Sequence, residues 1–188
     1  MELLKGNRTA ISGARSYRAL AEVALMDLRQ LSEPVAMVCG PIKSGGALLR
    51  KDCDPAEAKK RNRAKLNGVI SFLSRERAIF NQLPFLDRAE ELRTGKRLRR
   101  KWTGESVRDY VLSLFSRDGG KRESTSDRDH LRNEFHLPIL ASGLIGTIYF
   151  LDGWKDSVGS RWYHAQAKEL GVEIRHVIPI LKKTAAKR

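Results

Sequence analysis

The stretch "YFLDGWKDSVGSRWYHAQAKELGVEI", residues 149–174, decides the fold. It opens at the end of "LIGTIYFL" (144–151), an uncharged, β-branched run that reads as a strand. Asp152-Gly153-Trp154 breaks that run into a turn, residues 159–170 read as a helix stopped by Gly171, and "VEIRHVI" reads as a further strand. Strand, turn, helix and strand in this order form the crossover unit of a parallel sheet.

Working outward, the same alternation recurs. Residues 16–31 place Leu20, Val23, Ala24, Met26 and Leu28 near helical spacing, with Ser16 available as cap and Pro34 as stop. "VAMVC" (35–39) has the composition of a strand buried on both faces. "GPIKSGGALLRKDCDP" is rich in turn formers, and after Pro55 a charged helix carries Ala64, Leu66, Val69, Ile70 and Leu73. "AIFNQ" (78–82) reads as the next strand, ended by Leu83-Pro84. Residues 87–135 are polar, with a helix expected between Thr103 and Gly119-Gly120 and another from about Arg128 to Ser142, bent by Pro138. The pattern predicts an open α/β sheet of four to five mostly parallel strands flanked by helices. The expected organisation is an N-terminal helical extension (1–33), an α/β domain (34–182) with a basic insertion at 87–130, and a basic tail (183–188).

Composition narrows the functional classes. The chain has 188 residues, 41% of them hydrophobic, enough for a proper core. Two cysteines, Cys39 and Cys53, make no disulfide framework; with no apolar leader near the N-terminus, the expected location is the cytoplasm. The longest apolar window, Leu137–Leu151, is interrupted by Pro138, Ser142, Gly143 and Gly146 and falls short of the roughly 18–20 residues of a membrane span. No membrane partner is expected. His130 and His176 have no metal-ligand spacing, so neither a metal nor another cofactor is expected. The formal charge of +14 points to anionic partners, and residues 88–101 concentrate seven Lys/Arg against two Glu. That segment reads first as a solvated helix or loop, and second as a nucleic-acid contact through phosphates. No nucleic-acid-binding motif accompanies it.

In open parallel sheets, ligands bind beyond the carboxyl ends of the strands. This selects three loops. In the first, Gly40, Ser44, Gly45 and Gly46 are placed to cradle a sugar or phosphate, although plain turn geometry explains each glycine singly. In the second, Asn81 and Pro84 line the same crevice. The third offers Asp152 to ribose hydroxyls and Trp154 to a base; the competing roles are an Asx turn and a hydrophobic plug. Gly153, Ser157, Gly159 and Ser160 stand where a strand turns into a helix, whose first amides and dipole favour an anion. Helix capping by Ser157 or Ser160 is compatible with that role.

Taken together, "VAMVCGPIKSGG", "IFNQLPF" and "LPILASGLIGTIYFLDGWKDSVGSRWYHAQAKELGVEI" resemble the nucleoside 2-deoxyribosyltransferase superfamily, in particular a small phage- or prophage-type branch. The resemblance covers residues 34–86 and 136–180. It implies a flavodoxin-like fold, a homodimer or higher homo-oligomer, and cleavage or exchange of the N-glycosidic bond of a nucleoside or nucleotide. The implied chemistry is attack by a carboxylate on the anomeric carbon while the departing base is protonated. Ser157 matches a position that, in members acting on nucleoside monophosphates, helps bind the 5′-phosphate.

The position four residues after the helix glycine holds the nucleophilic glutamate in that family; here it is Tyr163. Three explanations compete: the chain binds nucleotide without turnover; Tyr163 is itself the nucleophile, as phenols are in sialidases; or another carboxylate, Asp156, Asp152 or Glu134, has taken over. The first is favoured, because a phenol with a pKa of about 10 needs a strong base or positive field to attack. For the base-protonating acid the candidates are Asp129, Glu134 and His136.

Overall fold

The computed structural model describes residues 5–31, 34–42, 54–102 and 125–177. The chain divides into two compact units. One comprises Leu25–Gln82 and Ile139–Arg188, the other Glu2–Ala24 and Leu83–Pro138.

The first unit holds a four-stranded sheet: β1 (Val35–Cys39), β2 (Ile79–Phe80), β3 (Ile145–Phe150) and β4 (Glu173–His176), in the order β2-β1-β3-β4. Every pairing is parallel. This is the open, doubly wound arrangement of flavodoxin-like folds, and the alternation of strand and helix patterns in the sequence predicts it. All five residues of β1 are buried, as a strand needs when it has neighbours on both edges and cover on both faces. β2 is shorter than its sequence pattern suggests. Asn81 and Gln82 continue past the strand, and Leu83-Pro84 open a helix rather than closing a turn. Proline is tolerated in a first helical turn because its missing N–H has no partner there in any case.

Helix α3 (Pro55–Leu73) links β1 to β2. Asp54 caps it by accepting from the Glu57 amide at 2.9 Å, and Pro55 stands at its start. Its buried residues are Ala58, Asn62, Leu66, Val69, Ile70 and Leu73. Leu66, Val69, Ile70 and Leu73 are the apolar side that the sequence displays, Ala58 and Asn62 extend it towards the N-terminus, and Ala64, expected on that side, is exposed.

The second unit contains α1 (Lys5–Gly13), the first part of α2 (Tyr17–Arg29), α4 (Leu83–Trp102), α5 (Thr125–Leu131) and a π-helical segment (Arg132–His136) that leads into α6 (Leu137–Ala141). Ser16 caps α2 as expected, accepting from the Ala19 amide at 3.1 Å. The basic stretch 88–101 lies within α4. Arg88 donates to the Ala14 carbonyl at 2.8 Å and to Glu91 at 2.7 Å, and Arg93 pairs with Glu90. Part of this charge is therefore spent inside the unit. Phe85 and Phe135 stack at 6.2 Å, and Phe135 meets the His136 imidazole edge-on at 4.8 Å. The helix expected between Thr103 and Gly119 lies outside the described residues. Among the described residues no helix is long and apolar enough to cross a membrane.

Burial, reinforced by the nearby Arg132 charge, lowers the His136 pKa to about 3. The unfolded chain takes up a proton below about pH 6.5 and the folded one does not, so this contribution is complete above that pH and is lost as the pH falls towards 3. Wild type should lose about 2 kcal/mol more than His136→Gln between pH 7 and pH 5, read as the difference between their urea-unfolding free energies. Gly40→Ala tests the sheet directly, because a Cβ there would lie 2.7 Å from Leu151 Cδ1. It should destabilise the chain by about 1–3 kcal/mol, and Leu151→Ala in the same chain should recover part of that loss in a double-mutant cycle.

Candidate functional site

The carboxyl ends of β1 and β3 come together because the strand order reverses direction between them: the chain goes from β1 outward to β2, then returns to β3 on the other side. That is the position of the ligand crevice in this class of sheet. Leu151 extends the pairing past β3, donating its amide to the Cys39 carbonyl at 2.9 Å. Gly40 lets the two chain ends approach this closely. Its bare α-carbon thus serves packing against Leu151, whatever it offers a ligand. Ser44, Gly45 and Gly46, the rest of that loop, lie outside the described residues.

Beyond Leu151 the chain reverses through a tight turn. Gly153 adopts φ +80°, a left-handed conformation that a side chain disfavours. Asp152 Oδ1 accepts the Gly153 amide at 3.0 Å, so this carboxylate acts within the turn. A short 3₁₀ turn (Trp154–Asp156) follows, and Ser157 caps helix α7 (Val158–Glu169) by accepting from the Ser160 amide at 3.4 Å. Arg161 closes the turn by donating to the Lys155 carbonyl at 3.0 Å. Gly159 is exposed in the first turn of α7, and a Cβ there would meet nothing within 4 Å. The resulting loop carries two cations, Lys155 and Arg161, beside the amides of a helix start.

Trp154 packs within this loop. Its ring stacks on His164 at 4.2 Å with a 14° interplanar angle, and it lies 5.3 Å from Phe150 and 5.9 Å from His176. The plug role is therefore filled, and the indole is held by rings of its own chain. Partial burial and the charges of Lys168, His176 and Lys155 depress the His164 pKa, which favours a neutral imidazole against the indole.

Tyr163 lies with Ser160 and Ala167 on the buried face of α7, at the i, i+3, i+7 spacing of one helix side. Its hydroxyl donates to Gln82 Oε1 at 3.2 Å, and Gln82 Nε2 donates to the Val38 carbonyl at 3.0 Å. A relay of two hydrogen bonds thus ties the helix through the end of β2 to the backbone of β1. Burial, then the neighbouring Cys39 sulfur, pushes the phenol's pKa well above 10. A neutral phenol whose proton is already donated to an amide holds the helix in place. Ser160 is also buried on this face. Its hydroxyl lies beside the Cys39 thiol at a geometry short of an ordinary hydrogen bond. Burial pushes that thiol up to about 12, against smaller lowering effects of Ser160 and the Gly40 backbone.

The structure thus brings Gly40, Asp152, Gly153, Trp154, Ser157, Gly159, Ser160 and Tyr163 to one end of the sheet, with Asn81 next to Gln82 at the end of β2. Glu134 and Pro84 belong to the other unit. There Glu134 pairs with His130 at 3.0 Å, and Pro84 sits in the first turn of α4. Among the described residues, no cluster of three or more His, Cys, Asp or Glu is arranged to hold a metal ion. Sequence reasoning passed over Gln82, the residue on which the Tyr163 contact depends. Its only signal is a polar side chain directly after an apolar strand, and it is shared with Asn81.

The Tyr163–Gln82 bond is testable by a double-mutant cycle. Tyr163→Phe should cost about 1 kcal/mol, and the coupling to Gln82→Leu should be of similar size. Chemical denaturation of the four chains checks it. No protein-family model, curated protein or solved structure matches this chain.

Proposed function

We propose that the chain is a nucleotide-binding protein that takes a (deoxy)nucleoside 5′-monophosphate at the carboxyl ends of β1 and β3 and leaves its N-glycosidic bond intact. The observation that carries this reading is the reversal of strand order between β1 and β3, which joins the Gly40 loop to the start of α7. The phosphate would lie over the exposed Gly159 and the amides of the first helical turn, with Lys155 and Arg161 supplying charge. Ser157, already the cap, orders that turn rather than acting alone on the anion.

Turnover by N-glycosidic cleavage or exchange, the activity of the family the sequence resembles, needs a carboxylate where Tyr163 stands. The buried phenol, donating to Gln82, argues against its being the nucleophile. Asp152, engaged with its own turn, and Asp156, in the 3₁₀ turn that follows, are exposed carboxylates at the same end of the sheet and are the remaining candidates there.

The test is a thermal-shift panel of deoxynucleoside and ribonucleoside monophosphates beside chromatography for released base. The expected outcome is a melting temperature that rises with nucleotide, no free base, and loss of the shift in Gly159→Asp. Free base released by wild type and abolished in Asp152→Asn would replace this reading with an enzymatic one. Absence of any shift at millimolar nucleotide would remove the binding site itself.

A further inference from the structure

Helix α3 carries a feature that the switch-point site does not use. At about 100° per residue, Ala56, Lys59, Lys60, Arg63, Ala64 and Asn67 fall on one flank of the helix, beside its buried stripe. They line an open surface depression of about 410 Å³, and among the described residues that line it none is acidic. The acid of the first turn, Glu57, falls next to this flank, about 60° around the helix from Lys60, and pairs with Arg61 at 3.2 Å. Lys59, Lys60 and Arg63 share the side with this depression. Ala56 and Ala64 keep the wall low before and after the cations, and Asn67 adds an amide at its far end.

We infer that this flank of α3 is a binding site for the phosphate backbone of a nucleic acid. The lining runs from Ala56 to Asn67, and its three cations fall within about one helical turn, roughly 6 Å of axis at 1.5 Å per residue, which suits two or three neighbouring phosphates of one strand. Two flexible ammonium groups and one guanidinium supply point charges and a planar fork, the pair of chemistries that phosphodiesters accept. The net charge of +14 adds a long-range attraction that carries a polyanion to the surface. The three cations address phosphates rather than base edges, so the contact they make is independent of sequence. The site stands apart from the nucleotide reading: it uses other residues and a polymer rather than a mononucleotide.

Fluorescence anisotropy with a labelled DNA duplex and a labelled single-stranded RNA tests the inference over a series of salt concentrations. Lys59→Gln/Lys60→Gln/Arg63→Gln should weaken binding about tenfold or more and reduce the slope of log K against log salt by roughly 2–3. A charge-matched control, Arg29→Gln/Lys65→Gln/Arg75→Gln, should retain most of the slope. Should the triple variant melt early, the exposed Lys60→Gln alone should still lower the slope by roughly 1. Binding to either polymer with these changes supports the site, and the ratio between the two separates DNA from RNA. Equal losses in variant and control, no binding to either polymer at low salt, or binding only to vesicles containing phosphatidylserine would each overturn it.

Discussion

The parallel pairing of β1 with β3 is the constraint on which the sheet unit depends. β1 is hydrogen-bonded on both edges and buried along its whole length, so it tolerates neither a charged residue nor a break. Its pairing with β3 runs from Val35 opposite Ile145 to Cys39 opposite Phe150 and continues one bond further, from the Leu151 amide to the Cys39 carbonyl. That last bond draws the two carboxyl ends together and demands a glycine at 40. The turn, the 3₁₀ segment and the start of α7 are all placed by where β3 stops.

The same end of the sheet contains a buried polar seam: Cys39, Ser160, Tyr163 and Gln82, drawn from two strand ends and one helix. Its ionisable members are held neutral by burial, the thiol at a pKa of about 12 and the phenol above its ordinary value. Such a seam fixes the rotation of α7 about its axis, because turning the helix would leave a phenol and an amide without partners in an apolar interior. It therefore presents the opposite, exposed side of the first turn, with Gly159 and Arg161, in a defined direction. Position 163 thus fixes the orientation of α7, which a carboxylate buried there would not supply at the same low cost.

Much of the fold was legible in the sequence because its signals are local. The uncharged runs at 35–39 and 144–151 contain the strands Val35–Cys39 and Ile145–Phe150, and the helices after Ser16, around Pro55 and after Ser157 begin within a residue or so of where the sequence pattern places them. Less legible was the junction at Leu83-Pro84. Proline ends a strand and opens a helix equally well, and only the tertiary position of the following turn distinguishes the two outcomes. At the site, the loop between β3 and α7 was identifiable from Gly153, Ser157 and Gly159. Gln82 was not, since nothing in "FNQLP" tells which of two adjacent amides points inward.

The sequence by itself determined the class of fold: alternating strand and helix patterns, with apolar runs too uniform for a half-solvated sheet, permit little besides a parallel sheet covered by helices. It also determined the chemistry available at 163, a phenol in place of a carboxylate. Tertiary structure alone decided what that phenol does. Its role comes from a partner 81 residues away in the chain and from a strand carbonyl beyond it. The position of the carboxylates was likewise a tertiary matter: Asp152 is at the sheet end, and Glu134 is in the other unit. Local residue patterns encode elements, whereas contacts across long stretches of chain depend on register and on helix rotation, which no short window of sequence contains.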